Sequence, residues 1–198
     1  GMLITMNIPS YVGESKPTGN VGIMQNSGVE LEGSYKYGKK DFNFRVAGNL
    51  SYLRNKLIEY GNESGWANLD SFQGTGTISR AENGMPFPYF YGYKTDGIFQ
   101  NWAEVNSYKN RDGGLMQPNA QPGDVKFVAY NGDGYVNDND RTMIGKGMPD
   151  WTAGLTLTAD WKGFDASLFF QGSFGNQIFD YCMRGDIPAQ NLPAWVLN

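Results

Sequence analysis

Residues 151–174, which read WTAGLTLTADWKGFDASLFFQGSF, alternate between apolar and polar side chains through two successive stretches. The apolar positions run from Trp151 to Trp161 in the first stretch and from Phe164 to Phe174 in the second. Because successive side chains of a β-strand point to opposite faces, each stretch predicts a strand with one apolar and one polar face. The Lys-Gly dipeptide between them suits a tight turn, so the pair is predicted to be a hairpin. Both of its apolar stripes begin and end on an aromatic residue.

Two earlier stretches predict a second hairpin of the same kind. The sequence alternates over residues 29–38 (VELEGSYKYG) and again over residues 42–52 (FNFRVAGNLSY), with a short polar turn between them. The second of these stretches also begins and ends on an aromatic residue. Residues 88–99 and 2–9 are further candidates for extended structure, and residues 101–110 are the best candidate for a short helix.

The length of these stretches indicates what their apolar face contacts. Ten residues of strand rise about 33 Å. Tilted by about 40°, such a strand covers roughly 25 Å, the height of the apolar band on an outer-membrane barrel, whose two edges collect aromatic rings. The opposite faces carry Asn, Arg, Ser, Thr, Asp and Gln, as a water-facing interior requires. The sequence therefore favours an all-β fold: an antiparallel meander of long hairpins that forms part of an outer-membrane-type barrel.

The regions between the hairpins are predicted to be long loops. Residues 58–86 are rich in Gly, Ser, Asn and Thr, and residues 101–150 show little periodicity. Long loops at one end and short turns at the other are typical of outer-membrane barrels, so both loops are expected to be of the extracellular type. We expect residues 1–198 to form one segment of a larger barrel, with at most one or two short helices.

The alternative is a soluble β-sandwich module that binds carbohydrate. Sandwich strands are shorter, about 5–6 residues, and their aromatic ends would be buried between two sheets. Exposed loop aromatics could then stack on sugar rings, although packing within the loops is the alternative for each; the candidates for ligand contact are Trp66, Trp102 and Tyr108. The exposure of the aromatic ends of the hairpins discriminates between barrel and sandwich.

The composition excludes several functional classes. The chain has no His, which excludes His-based catalysis and His-ligated metals, and its single Cys, Cys182, cannot form an internal disulfide. With a net charge of −4 and no long basic run, no nucleic-acid partner is expected. Asp138 and Asp140 are paired carboxylates, but they lie in a turn-forming stretch with no apolar pocket to raise a pKa, so no enzyme is expected.

An acidic stretch, NGDGYVNDND, resembles the calcium loop of an EF-hand. With Gly134 at loop position 6, the possible calcium ligands at positions 3, 5, 7, 9 and 12 are Asn131, Asp133, the Tyr135 carbonyl, Asn137 and Asp140. Position 1 is Ala129, which has no side-chain ligand, and position 12 is Asp instead of the longer Glu. Bound calcium and a metal-free Asx-rich turn both remain open.

Taken together, several blocks of the chain resemble the SusC/RagA family of TonB-dependent outer-membrane receptors. Similar blocks, in the same order and covering most of the chain, are NSGVELEGSYKY at 26–37, LSYLRNKL at 50–57, GMPFPYFYGYKTDGIFQN at 84–101, the long block at 123–155, and KGFDASLFFQGSFGNQIF at 162–179. Blocks of this length in this order are more specific than any single motif. The chain departs from the family pattern at Ala129 and Asn137, where the family has Asp.

The resemblance implies a function and a set of partners. It implies that the chain is about a fifth of a receptor, from the later part of a barrel that takes up oligosaccharides or peptides across the outer membrane. It implies pairing with a surface lipoprotein lid of the SusD type and energising by the TonB complex. Because the segment is too short to close a barrel, we expect it to be incompetent for transport alone and to self-associate through its apolar strand faces.

Overall fold

The computed structural model describes residues 2–5, 18–69, 71 and 76–180. Nearly all of its regular structure is β-strand. In chain order the elements are β1 (Met2–Thr5), β2 (Thr18–Lys39), β3 (Phe42–Glu59), β4 (Trp66–Asn68), β5 (Ser79–Glu82), β6 (Tyr89–Gly92), β7 (Thr95–Ile98), α1 (Trp102–Ser107), β8 (Val125–Phe127), β9 (Thr142–Lys146), β10 (Trp151–Trp161) and β11 (Phe164–Phe174). Among the described residues, no helix is long and apolar enough to cross a membrane.

The long strands form one antiparallel sheet in the order β1-β2-β3-β10-β11. The predicted hairpin at 151–174 is confirmed, with its turn at Lys162 and Gly163, both of which have positive φ. The other predicted hairpin is also confirmed, but its strands are longer than the alternation indicated. Beyond Tyr52 the apolar–polar alternation breaks, yet β3 continues to Glu59 because its backbone still pairs with β2.

Strand register places the apolar stripes of four strands side by side. Two rows of paired residues across the sheet bound these stripes. The row at one end consists of Val29, Tyr52, Trp151 and Phe174. The row at the other end consists of Lys39, Phe42, Trp161 and Phe164. The exposed fractions of Trp151, Trp161, Phe164 and Phe174 are 43%, 55%, 76% and 59%. These side chains are therefore not sealed between two sheets. Together with strand lengths of 11 to 22 residues, their exposure shows that the sandwich alternative is wrong.

The opposite face of the same sheet is polar across all four strands. One row joins Glu32, Asn49, Gly154 and Gln171, and the next joins Glu30, Ser51, Thr152 and Ser173. Phe169 is an exception, because it is a largely exposed aromatic side chain on this polar face. The sheet thus has the two-sided character that the sequence predicts for a barrel wall.

The regions predicted to be long loops contain short strands that the sequence did not indicate. β4 and β5 lie within residues 58–86, whereas β8, β9 and a 3-10 turn at Asp138–Asp140 lie within residues 101–150. These strands have three to five residues, too few for an alternation to be visible. They are held by pairing with each other, in a β4-β5-β6-β9 sheet and a β7-β8 sheet. Residues 88–99, predicted to be extended, contain two strands, β6 and β7, which belong to different sheets.

The single predicted helix is confirmed as α1, which spans residues 102–107. Asn101 caps its N-terminus, because the Asn101 side chain accepts a hydrogen bond from the Glu104 N–H at 2.9 Å. Val105 on its inner face packs into a small core with Phe99 and Ala120. The predicted strand at 2–9 is described only as β1, and its remainder lies outside the described residues.

Hydrogen bonds join the region of short strands to Leu57 of β3 and to Gln177, which follows β11. Leu57 of β3 is fully buried; its N–H donates to the Met85 carbonyl at 2.9 Å, and its carbonyl accepts from the Gly84 N–H at 2.7 Å. Beyond the end of β11, Gln177 forms two hydrogen bonds with Lys146 of β9. The Gln177 N–H donates to the Lys146 carbonyl at 2.7 Å, and the Gln177 side chain accepts from the Lys146 N–H at 2.9 Å.

Candidate functional site

The EF-hand-like stretch folds as a compact loop built from Asx turns. The Asn131 side-chain oxygen accepts from the Asp133 N–H at 2.9 Å, and Asp133 accepts from the Tyr135 N–H at 3.0 Å. Gly134 between them has a φ of +91°, a left-handed conformation that glycine adopts readily. The bend expected at loop position 6 is therefore present.

Asp140, at loop position 12, is fully buried and engaged by backbone donors. One carboxylate oxygen accepts from the Asn131 N–H at 2.9 Å, and the other accepts from the Asn137 N–H at 2.8 Å. Asp140 thereby closes the loop onto itself and completes a capping box at the start of the 3-10 turn.

Asp133 is solvent-exposed and receives both side-chain amides of the loop. The Nδ2 atoms of Asn131 and Asn137 donate to the same Asp133 oxygen at 2.8 and 2.5 Å. Donation from the Tyr135 N–H, followed by that from Asn137 and Asn131, holds the pKa of the Asp133 carboxyl below its usual range. The five residues predicted as calcium ligands are thus brought together, joined by hydrogen bonds. Within the described residues, no group of three or more His, Cys, Asp or Glu side chains is placed to hold a metal ion.

The two carboxylates considered for acid–base chemistry have separate partners. Asp138 accepts from the Tyr93 hydroxyl at 2.8 Å, whereas Asp140 is buried on backbone donors. Burial, together with the hydrogen bond to Asp138, raises the pKa of Tyr93. Both carboxylates therefore support the local structure of the loop.

Trp66 lies at one end of a stack of alternating aromatic rings and guanidinium groups that the sequence did not predict. The Arg80 guanidinium lies over the Trp66 ring at 3.8 Å and over the Tyr91 ring at 4.5 Å. Arg141 continues the stack, at 4.8 Å from the Tyr91 ring and 5.9 Å from the Tyr93 ring. The two arginines come from distant parts of the chain, so no local spacing could have indicated that they share a ring. Trp66 remains 41% exposed, with Arg80 against it.

The other two predicted ligand-contact residues differ in their surroundings. Trp102, the first residue of α1, is 58% exposed. Tyr108 is partly buried, and its ring packs 5.8 Å from that of Phe99. Its hydroxyl donates to the Phe127 carbonyl at 2.5 Å. Tyr108 therefore has a packing role, whereas Trp66 and Trp102 keep surface available to a ligand.

A groove runs along the polar face of the long sheet. It consists of two adjoining hollows of about 530 and 640 Å³, which share Glu30, Ser51 and Thr152. Glu32, Asn49, Gln171 and the exposed ring of Phe169 line the first hollow, and Met148 and Pro149 line the second. Carboxylates, amides, hydroxyls and one aromatic ring form a surface able to hydrogen-bond a polar solute and to contact its apolar parts.

Comparison with known proteins identifies relatives over most of the chain. No family model matches the chain. The chain is 30% identical over 186 residues to TonB-dependent receptor P26 of Formosa agariphila, an alignment that covers 92% of this chain and 18% of that receptor. It is 25% identical over 164 residues to TonB-dependent receptor SusC of Bacteroides thetaiotaomicron, covering 82% of this chain and 15% of SusC. All of these relatives are named as receptors and none as an enzyme.

A solved structure shares the fold. The structure of the RagAB peptide transporter superposes with a TM-score of 0.60 and 24% identity, over 88% of this chain and 17% of that chain. The chain thus spans less than a fifth of the length of P26, of SusC and of the solved transporter chain. Because the chain matches TonB-dependent receptors over most of its length, SusC among them, and shares its fold with the solved transporter chain, we conclude that it belongs to the SusC/RagA family of TonB-dependent receptors.

Proposed function

We propose that this segment forms part of the barrel wall of an outer-membrane receptor for nutrient uptake, with an oligosaccharide or a peptide as the nutrient. The observation that carries this proposal is the sidedness of the long sheet. One face is apolar over four strands and bounded by two rows that are aromatic on three of them, whereas the other face is polar. An apolar band between aromatic girdles, backed by a polar interior, is the arrangement that a lipid bilayer selects.

The polar face supports a role along the transport passage. The groove along this face presents Glu30, Asn49, Thr152 and Gln171, side chains that together can hydrogen-bond hydroxyl, amide and ammonium groups. Such a lining is compatible with both oligosaccharides and peptides. It provides weak and repeated polar contacts instead of one tight site, as a passage requires.

The short-strand sheet and its neighbouring loops are proposed to lie on the outer side of the membrane. They are inserted between β3 and β10, at the sheet end marked by Tyr52 and Trp151, whereas the turns that the structure describes at the opposite end are tight. Long insertions at one end are typical of the extracellular side. There the exposed Trp66 and Trp102 are available to contact the nutrient or a surface lipoprotein of the SusD type, with TonB energising the complete receptor from the opposite side.

Neighbouring side chains of β10 provide a direct test. Leu155 lies on the apolar face and Thr156 on the polar face, one residue apart in the same strand. In the complete receptor reconstituted in lipid, a spin label on Leu155→Cys is expected to collide with oxygen dissolved in the bilayer. A label on Thr156→Cys is expected to collide with a water-soluble nickel complex. Equal access of the nickel complex to both labels would rule out the proposed orientation.

The isolated segment is proposed to self-associate and to transport nothing. Its described long sheet has five strands, fewer than the eight of the smallest closed barrels, and it leaves an apolar face uncovered. In detergent-free buffer the mass from light scattering should exceed that of a monomer. A monomeric mass, without binding of a dye that reports exposed apolar surface, would contradict this part of the proposal.

A further inference from the structure

We propose that the EF-hand-like loop is ordered without calcium, because side-chain amide donors occupy the position that the cation would take. An EF-hand holds its ion with oxygen atoms from loop positions 1, 3, 5, 7, 9 and 12 that converge on one point. The same positions of this loop converge, but the atoms that meet there include N–H donors. The proposal does not depend on the transport function.

The first position of the loop has no side-chain oxygen, and both carboxylate oxygens of the last position are already engaged by backbone donors. Position 1 is Ala129, which has only a methyl group. Position 12 is Asp140, which is fully buried, and both of its oxygens already accept from backbone N–H groups of Asn131 and Asn137. Releasing Asp140 to a cation would leave two backbone donors without their partner.

The orientation of the Asn137 amide is fixed by a hydrogen bond on its other side. Its oxygen accepts from the Asn139 N–H at 2.8 Å, where Asn137 caps the 3-10 turn. Its nitrogen consequently points inward, 2.5 Å from an Asp133 carboxylate oxygen and 3.3 Å from the Tyr135 carbonyl oxygen. Those two oxygens are the ones that positions 5 and 7 would provide to calcium. The Asn137 N–H donors lie between these two oxygens, hydrogen-bond to both of them and repel a cation.

Asn131 is oriented in the same way. Its oxygen accepts from the Asp133 N–H at 2.9 Å, so its nitrogen also donates to Asp133, at 2.8 Å. One carboxylate, Asp133, thus receives two neutral amide donors, which stabilise its charge by hydrogen bonding in place of an ion. Calcium affinity rises with the number of liganding carboxylates, and here a single one remains available.

The test measures calcium binding to the complete receptor in detergent, by isothermal titration and by terbium luminescence sensitised from Tyr135. Asp133→Asn, an isosteric change at an exposed position, should leave the number of bound calcium ions unchanged. The double variant Ala129→Asp/Asn137→Asp, which provides oxygens at positions 1 and 9, should bind one ion more than the native receptor. Asn139→Asp is the matched control: it adds a charge to an exposed position of the same loop and should add no ion.

Three results would overturn the proposal. One is the loss of one bound calcium ion from the receptor on Asp133→Asn. Another is a double variant that gains no ion, because the amides would then not be what excludes the cation. The third concerns the native receptor, where hydrogen exchange of the Asp133 and Tyr135 amides should be equally slow in calcium and in EDTA. Faster exchange in EDTA would show that the loop needs the ion.

Discussion

Tyr52 and Trp151 lie directly opposite each other on β3 and β10, with ring centroids 4.7 Å apart and ring planes at 45°. They form the centre of the aromatic row at the loop-bearing end of the sheet. Cross-strand aromatic pairs contribute about 0.5–1 kcal/mol beyond the area that they bury. The row therefore marks the edge of the apolar band, and its central pair stabilises the contact between the two hairpins.

A double-mutant cycle on this pair should measure that contribution. Tyr52→Ala and Trp151→Ala, alone and combined, are expected to show a coupling energy of about 0.5–1 kcal/mol in unfolding experiments on the receptor in lipid vesicles. The aliphatic pair Val46 and Leu157, opposite each other near the middle of the same two strands, is the control and should show weaker coupling. Purely additive effects at Tyr52 and Trp151 would mean that the rings are neighbours without an energetic interaction.

A charge introduced on the apolar face should be far more costly than the same charge on the polar face. Leu155→Arg places a guanidinium near the middle of the apolar band and is expected to destabilise the folded receptor by about 2–4 kcal/mol. Thr156→Arg, on the opposite face of the same strand, is expected to change stability by less than about 1 kcal/mol. Heat-modifiable migration of the membrane-inserted receptor on gels would measure both. Similar losses for the two variants would contradict the two-sided sheet.

Arg141 should stabilise the short-strand sheet through the geometry of its guanidinium as well as its charge. The group lies over the rings of Tyr91 and Tyr93, and its Nη2 donates to the Thr77 carbonyl at 2.5 Å. Arg141→Lys keeps the charge but loses the planar stacking surface and the forked donor. We expect it to cost about 1–2 kcal/mol in the local stability of β5 and β6, measured by hydrogen exchange.

Arg111 provides the control for this substitution. It is exposed in the turn after α1, so Arg111→Lys should leave hydrogen exchange unchanged throughout the described region. If Arg141→Lys behaved like Arg111→Lys, charge alone would account for the role of Arg141, and the stack would have no stabilising effect.

The sequence predicted the two hairpins of the long sheet because residues 29–38, 42–52, 151–161 and 164–174 alternate between apolar and polar side chains. The bounds of β10 and β11 follow from the positions of Trp151, Trp161, Phe164 and Phe174 alone. The short strands could not be predicted, because three to five residues give no period and their pairing depends on distant partners.

In the EF-hand-like loop, the spacing predicted which residues would meet. It did not predict which atoms would face each other, because that depends on how the Asn137 amide is turned by its bond to Asn139.

Asn55 illustrates a further contact that only the fold creates. It is a buried polar residue of β3. Its nitrogen donates to the Asn26 side chain at 2.6 Å, and its oxygen accepts from the Phe87 N–H at 2.7 Å. Asn55→Leu would leave the partly buried Phe87 N–H without its acceptor, at a cost of about 1–3 kcal/mol, and would release the exposed Asn26 side chain to water. Limited proteolysis should then cut faster near residue 87, whereas Asn49→Leu, at an exposed position of the same strand face, should leave the rate unchanged.

The lowered pKa of Asp133 predicts how the acidic loop responds to pH. A carboxyl whose pKa is lower in the folded state contributes stability that is present above its unfolded value, near 3.8, and lost as the pH falls through the folded value. The loop should therefore keep its hydrogen-exchange protection at pH 5 and lose it only at more acidic pH, below about 4. Asn137→Ala removes one of the two amide donors and should move the Asp133 midpoint upward, as measured by the pH dependence of its carboxyl ¹³C shift. An unchanged midpoint in Asn137→Ala would mean that the Asn137 amide does not stabilise the Asp133 carboxylate.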